Sequence, residues 1–113
     1  MCDKGTLDTI LAKTVEQCKR IYGNALKYVI LYGSYARGDY DEESDIDIVI
    51  LVDKDRETLS ASFEEIVKFS SDIDLEYGIM LSPSVLPYDE FIKYKEDLPY
   101  YTNIASEGVV LRG

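Results

Sequence analysis

Residues Tyr28–Val52 read YVILYGSYARGDYDEESDIDIVILV, and this stretch decides the fold. Tyr28–Tyr32 is aromatic and β-branched, and so is Ile46–Val52 apart from Asp47 and Leu51. Short apolar runs bounded by turn residues fit buried strands better than helices. Between them lie Gly33-Ser34, an acidic loop, and then Asp45-Ile46-Asp47. On a strand, side chains two apart leave the same face, so the aspartates stand side by side. Adjacent carboxylates raise each other's cost of ionising, and a divalent cation between them relieves it. Hard oxygen ligands of this kind suit Mg²⁺, which keeps several waters and completes its shell with substrate phosphates. Gly33-Ser34 supplies the complement, a turn whose backbone N–H groups and hydroxyl reach a phosphate with no side chain in the way. Metal ligands facing a phosphate cradle describe phosphoryl or nucleotidyl transfer.

The segment GSYARGDYDEESDIDI (33–48) resembles the signature of the polymerase-β-like nucleotidyltransferase superfamily. Its nearest likeness is to the small bacterial and archaeal branch, the MNT-type minimal nucleotidyltransferases. The resemblance implies that Gly33 and Ser34 hold a triphosphate, with ATP the expected donor. It implies further that Asp45 and Asp47 are the catalytic acids and bind Mg²⁺, and that a nucleoside monophosphate moves to an acceptor hydroxyl. Many members of that branch are antitoxins paired with a HEPN-type ribonuclease toxin, so the resemblance implies such a protein partner here. Arg37 is a candidate contact for the triphosphate or the acceptor, or a surface arginine bonded to the acids of its own loop.

Composition narrows the alternatives. With 113 residues the expectation is one domain over 1–113, built on a single core. No apolar run approaches the length of a membrane span, and MCDKGTLD lacks the layout of a secretion signal, which predicts a cytoplasmic protein. The net charge of −10 argues against direct nucleic-acid binding, which Lys and Arg drive. Cys2 and Cys18 form no CxxC pair and read as free thiols, Cys18 in the core and Cys2 at a frayed terminus. The chain has no histidine, so Ser–His–Asp, Cys–His and His-based zinc chemistry are excluded within it. Carboxylate and metal chemistry survives.

The remaining segments predict the scaffold. Leu7, Ile10, Leu11, Val15, Cys18, Ile21 and Tyr22 form one apolar stripe of a helix over Thr6–Tyr22, capped by Thr6 and closed by Gly23-Asn24. Asp39, Asp41, Glu42 and Glu43 read as solvated loop charges, and Ser44 as a residue that bonds the loop backbone or orients Asp45. From Arg56, Leu59, Phe63, Ile66, Val67, Ser70 and Ile73 keep a helical period. Two readings of its end compete. A helix ending near Ser71 leaves Ile73–Tyr77 as a strand, with Asp74 or Glu76 as the third carboxylate that the resemblance implies. A helix continuing through Leu75 or Tyr77 makes Gly78–Val85 the strand and puts Gly78 where that acid is expected. The period through Ile73 and Tyr77 favours the longer helix. A short helix over Tyr88–Glu96, a helical turn over Tyr100–Ala105 and a last strand Val109–Leu111 follow. Tyr88, Tyr94, Tyr100 and Tyr101 read as core packing with hydroxyls at the surface, rather than as a stack for a base. The fold expected is α/β and nucleotidyltransferase-like, a small mixed twisted sheet of about three to five strands with helices mainly on one face.

Overall fold

The computed structural model describes residues 4–41 and 43–112. In chain order the elements are α1 (Lys4–Tyr22), β1 (Leu26–Tyr32), α2 (Gly33–Arg37), β2 (Ile46–Val52), α3 (Arg56–Tyr77), β3 (Leu81–Pro87), α4 (Tyr88–Tyr94), α5 (Pro99–Glu107) and β4 (Val109–Arg112). The four strands form one mixed sheet in the order β3-β2-β1-β4. β1 pairs antiparallel with both β2 and β4, whereas β2 and β3 run parallel. A parallel pair needs a crossover, and the 22 residues of α3 provide it.

The sheet is covered on both faces, but unequally. Val29, Leu31, Ile46, Ile48, Ile50 and Val52 turn toward the two long helices, meeting Ile10 and Cys18 of α1 and Leu59, Ile66 and Ile73 of α3. Ile30, Val49 and Leu51 turn the other way, against Phe91 of α4 and Tyr101 and Ile104 of α5. This accounts for the unbroken apolar run of β2, a central strand buried on both faces. Each side chain so buried contributes about 1.5–3 kcal/mol. Asp47 is the one charged residue in the strand, and the only one of its seven that is not buried.

The longer reading of the second helix holds. Asp55 caps α3 by accepting from the Thr58 N–H at 2.8 Å, and Gly78 ends it at φ 69°, its N–H donating to the Asp74 carbonyl. Ile73 is a buried core residue of this helix, which overturns the strand Ile73–Tyr77. The following strand starts at Leu81 rather than Gly78 and runs to Pro87. Pro83 and Pro87 sit comfortably there because β3 is an edge strand, where a missing N–H takes little from the sheet. The Ser70 hydroxyl donates to the Leu81 carbonyl at 2.6 Å and ties α3 to that edge.

Smaller boundaries shift too. Helix α1 begins before Thr6, which lies inside it rather than capping it. The turn expected at Gly33-Ser34 leads straight into a short helix, α2. Pro99 opens α5 at a position where a proline's missing N–H is harmless, so the last helix is longer than a single turn. Tyr101 is buried against Phe91, and Tyr88 packs on Tyr28, as core packing requires; Tyr94 and Tyr100 remain exposed. Cys18 is buried, and burial pushes its thiol up to about 12. Cys2 and Glu42 lie outside the described residues.

Gly108 joins α5 to β4 with no space to spare. A Cβ there would stand 2.5 Å from Ile30 Cγ2 and 2.6 Å from the Ile104 carbonyl oxygen. Gly108→Ala is expected to cost about 1–3 kcal/mol, the usual penalty of overpacking. In urea unfolding it should appear as a lower midpoint with an unchanged slope.

Candidate active site

The site is built where β1 ends. Tyr32 is the last residue of β1 and pairs with Asp47 across the β1–β2 ladder. Gly33 then turns the chain out of the strand at φ 72°, a left-handed conformation that side chains disfavour. The turn also needs glycine for room. A Cβ at Gly33 would collide with the Asp47 carboxylate, which lies directly against the glycine backbone. The Gly33-Ser34 turn and the DxD strand are thus in contact. Ser34 is half-buried at the start of α2, and its carbonyl accepts from the Gly38 and Asp39 N–H groups at 2.9 and 3.1 Å. Tyr32 precedes α2 without lending a side chain to its first N–H groups.

Asp45 stands exposed just before β2, and Asp47 is half-buried within it. Burial holds the Asp47 carboxyl above its ordinary range, the charge of Asp45 pushes it further, and the Arg37 guanidinium partly offsets both. The pair is therefore short of positive charge, which is the condition a cation relieves. Among the described residues no three acid or cysteine side chains converge as a metal cluster. Two carboxylates on a solvent-facing strand end still fit Mg²⁺, which takes few protein ligands and fills its shell from waters and phosphates.

Arg37 is exposed on the last turn of α2. Its Nε donates to Asp39 at 3.3 Å, and its Nη1 lies 3.9 Å from Glu107 of α5. Both readings of Arg37 thus keep support, since it bonds to its own loop and lies near Asp47. The loop between α2 and β2 has more structure than solvated charges imply. Asp41 accepts from the Glu43 N–H at 2.9 Å and from the Ser44 hydroxyl at 3.2 Å, while the Asp41 N–H donates to Ser44 Oγ at 2.9 Å. This local turn sets the approach to Asp45, and D-x-x-S was the signal for it. Ser44 spends its bonds on Asp41.

On the other flank, the residue in register with Asp47 on β3 is Ser82. The register thus moves the expected third-acid position from Gly78 to Ser82, and no acid stands there. Asp74 and Glu76 both ride on α3, on the far side of the sheet, with Glu76 held by Lys13 at 3.1 Å. Asp74 lines a groove of about 410 Å³ along the α3–β3 edge, with Phe63, Val67 and Met80 among its walls, and neither Asp45 nor Asp47 borders it. On the Asp47 face, Tyr32 meets Tyr100 edge to face, with ring centroids 6.1 Å apart.

Residues 11–107 match the model of the family described as "Nucleotidyltransferase domain". The chain is similar to two proteins of Methanocaldococcus jannaschii. It is 36% identical over 97 residues to "Putative protein adenylyltransferase MJ0604", covering 86% of this chain and 89% of that one. It is 44% identical over 84 residues to "Putative protein adenylyltransferase MJ0141", covering 74% and 81%. Among solved structures, a "putative minimal nucleotidyltransferase" superposes with a TM-score of 0.60 at 18% identity over 96% of this chain and 95% of that one. A chain of a toxin–antitoxin structure with AMP-PNP superposes with a TM-score of 0.55 at 21% identity, covering 89% and 72%. At such identities the structural likeness is one of fold.

Two outcomes are expected from this geometry. Gly33→Ala adds left-handed strain of about 1–2 kcal/mol and displaces the Asp47 carboxylate. Calorimetric titration should therefore show weakened divalent-cation binding in protein that remains folded. For Asp47, a pKa raised on folding means that the native state holds its proton to higher pH than the unfolded chain does. Stability accordingly falls as pH rises from the ordinary carboxylate value to the raised one, and the penalty stays in full above it. Asp47→Asn should raise the denaturation midpoint of the metal-free protein at pH 7, an advantage that disappears in acid.

Proposed function

The chain belongs to the nucleotidyltransferase domain family, and from that premise we propose that it moves AMP from Mg²⁺-bound ATP to a hydroxyl on a protein partner. The observation that carries the reading is the contact between Asp47 and Gly33, which brings the acid pair against the phosphate turn. That the chain is a nucleotidyltransferase follows from its family. The finer statements are ours: the choice of ATP and Mg²⁺, the protein hydroxyl, and a HEPN-type toxin as the partner this chain neutralises as antitoxin. Relatives named as putative protein adenylyltransferases support ATP as the donor and a protein as the acceptor. A toxin–antitoxin neighbour of the same fold supports a toxin as partner, and its HEPN type is carried by the sequence resemblance alone. We place the chemistry in one domain spanning residues 1–113, acting in the cytoplasm. Among the described residues no helix is long and apolar enough to cross a membrane.

Asp45 and Asp47 would hold the divalent cation, which when bound neutralises phosphate charge and makes the α-phosphorus a better electrophile. Gly33 and Ser34 receive the departing pyrophosphate, meeting its growing charge with backbone donors already in place. Arg37 leaves its weak pairing with Asp39 and Glu107 for the triphosphate, a stronger anion than either carboxylate. The acidic loop 39–45 discourages nucleic acid, and the net charge of −10 extends that bias over the whole surface.

One observation favours a second reading. With Ser82 in register with Asp47, the fold would also serve as a non-catalytic module that covers a basic partner. Pyrophosphate release from Mg²⁺–ATP in the presence of a co-purified partner distinguishes the two. Asp45→Asn and Asp47→Asn should each weaken cation binding by more than the roughly 10–100-fold that loss of a mere supporting contact brings, and together they should abolish release. Neutralisation of the partner that survives the double substitution would establish the binding module instead.

A further inference from the structure

Helices α4 and α5 both cover the second face of the sheet, and a cleft of about 290 Å³ opens between them. Its floor is apolar, made by Ile30 and Leu51 of the sheet with Phe91 of α4 and Ile104 of α5. Ile92 and Val110 stand exposed at the rim, so the cleft is open to solvent. None of Gly33, Ser34, Arg37, Asp45 and Asp47 lines it. Leu51 shares a face of β2 with Asp47 but stands four residues farther along, roughly 13 Å at the rise of a strand. The cleft is separate from the acid pair.

Its charge runs against that of the chain. The sequence carries 22 acidic residues and 12 basic ones, yet no acid borders this cleft, and the one charged residue in its lining is Lys95. Lys95 is half-buried just past the last turn of α4, on the helical face that also presents Tyr88, Phe91 and Ile92. Its backbone is tied to α5, because the Lys95 carbonyl accepts from the Thr102 hydroxyl at 2.7 Å. Lys27 brings a second cation to the Tyr88 wall, its Nζ 5.9 Å from the ring centre. Among the described residues Lys13, Arg37 and Arg56 have acids within ion-pair distance, whereas Lys27 and Lys95 have none. A lysine that merely laid its stem over apolar surface would leave the cleft indifferent to charge. Two unpaired cations on one wall, with every acid kept out of the lining, add up to a field that favours an anion.

We propose that this cleft binds a small carboxylate with an aromatic or branched aliphatic body, its carboxylate at Lys95 and its body on the apolar floor. The volume sits at the lower edge of the range for small-molecule sites, and it admits a single ring or a short branched chain. Burial of the body supplies the affinity, and the charge at the rim fixes the orientation. A neutral ligand would leave Lys95 without a counter-ion, and a nucleotide would set several phosphate charges over an apolar floor. The end of a polypeptide also presents an apolar group beside a carboxylate, and the test separates that source from a free small molecule. The site is independent of the transfer reaction and stands on binding alone.

The probes are hydrocinnamate and its uncharged counterpart hydrocinnamamide, titrated into the full chain and followed by methyl NMR. Hydrocinnamate should shift the methyls of Ile30, Ile92 and Ile104 at the cleft and leave those of Ile10 and Ile66 under the other face. It should bind at least roughly tenfold more tightly than the amide, the scale of one charge-assisted hydrogen bond. Lys95→Met keeps the stem and removes the charge, so it should bring the two affinities together. Lys93→Met, at an exposed position outside the lining, should leave the gap as it is. Ala105→Phe fills the cleft from α5 and should abolish binding of both compounds in protein that still unfolds cooperatively in urea. Equal affinity for acid and amide in wild type would overturn the proposal. So would a gap that survives Lys95→Met, shifts that spare the cleft methyls, binding retained in a folded Ala105→Phe protein, or no binding of either compound at millimolar concentration. Tighter binding of N-acetylphenylalanine than of hydrocinnamate would assign the cleft to a polypeptide end and overturn the small-molecule site equally.

Discussion

A carboxylate resting on a glycine is the contact from which this molecule is arranged. Asp47 lies so close to Gly33 that no side chain fits between them. For that to happen β1 must stop at Tyr32, the chain must take a left-handed turn at the next residue, and β2 must pair with β1 in one register. A slip of one residue would turn Asp47 into the apolar layer under α1 and α3 and bring Ile46 or Ile48 out of it. The cost of burying a charge beside apolar helices therefore enforces the register that makes the site.

The same contact shows how stability and chemistry oppose each other here. Asp45 and Asp47 repel, and Asp47 is half-buried as well, so its ionised form is disfavoured where it stands. A strand with an end like that needs support elsewhere. β2 has it, since Ile46, Ile48, Val49, Ile50, Leu51 and Val52 are almost wholly buried between two layers. Strain and repulsion held at a site by a well-packed scaffold are a common arrangement in enzymes.

The sequence made some of this legible and hid the rest for identifiable reasons. The strands Tyr28–Tyr32 and Ile46–Val52 were readable because β2 is buried on both faces and so carries no competing helical period. That the Gly33-Ser34 turn would lie opposite the Asp45/Asp47 strand was readable because the two are set by residue type and close spacing along the chain. The end of α3 was ambiguous because Ile73-Asp74-Leu75-Glu76-Tyr77 alternates like a strand and also continues a helical stripe. Tertiary packing decided it, placing Ile73 in the core and leaving Leu75 exposed. The pairing of Ser82 with Asp47 was beyond reach, because a parallel register is set by how a 22-residue crossover lands on the sheet. Nothing local to either strand encodes it. The bond of Ser44 to the loop backbone was legible, but Asp41's part in the same turn was missed, because charged loop residues read as solvated unless their hydrogen bonds are known.

These features converge on the edge of the sheet. A parallel strand reached by a helical crossover lies beyond β2, and among the described residues no further strand follows it. Pro83 and Pro87 remove backbone donors from this strand, and the Ser70 hydroxyl occupies the Leu81 carbonyl, so another strand finds little to pair with. The strand that meets Asp47 across the parallel register is therefore closed to strand addition by its own sequence, Leu81–Pro87, and the residue it sets beside that carboxylate is a serine, Ser82.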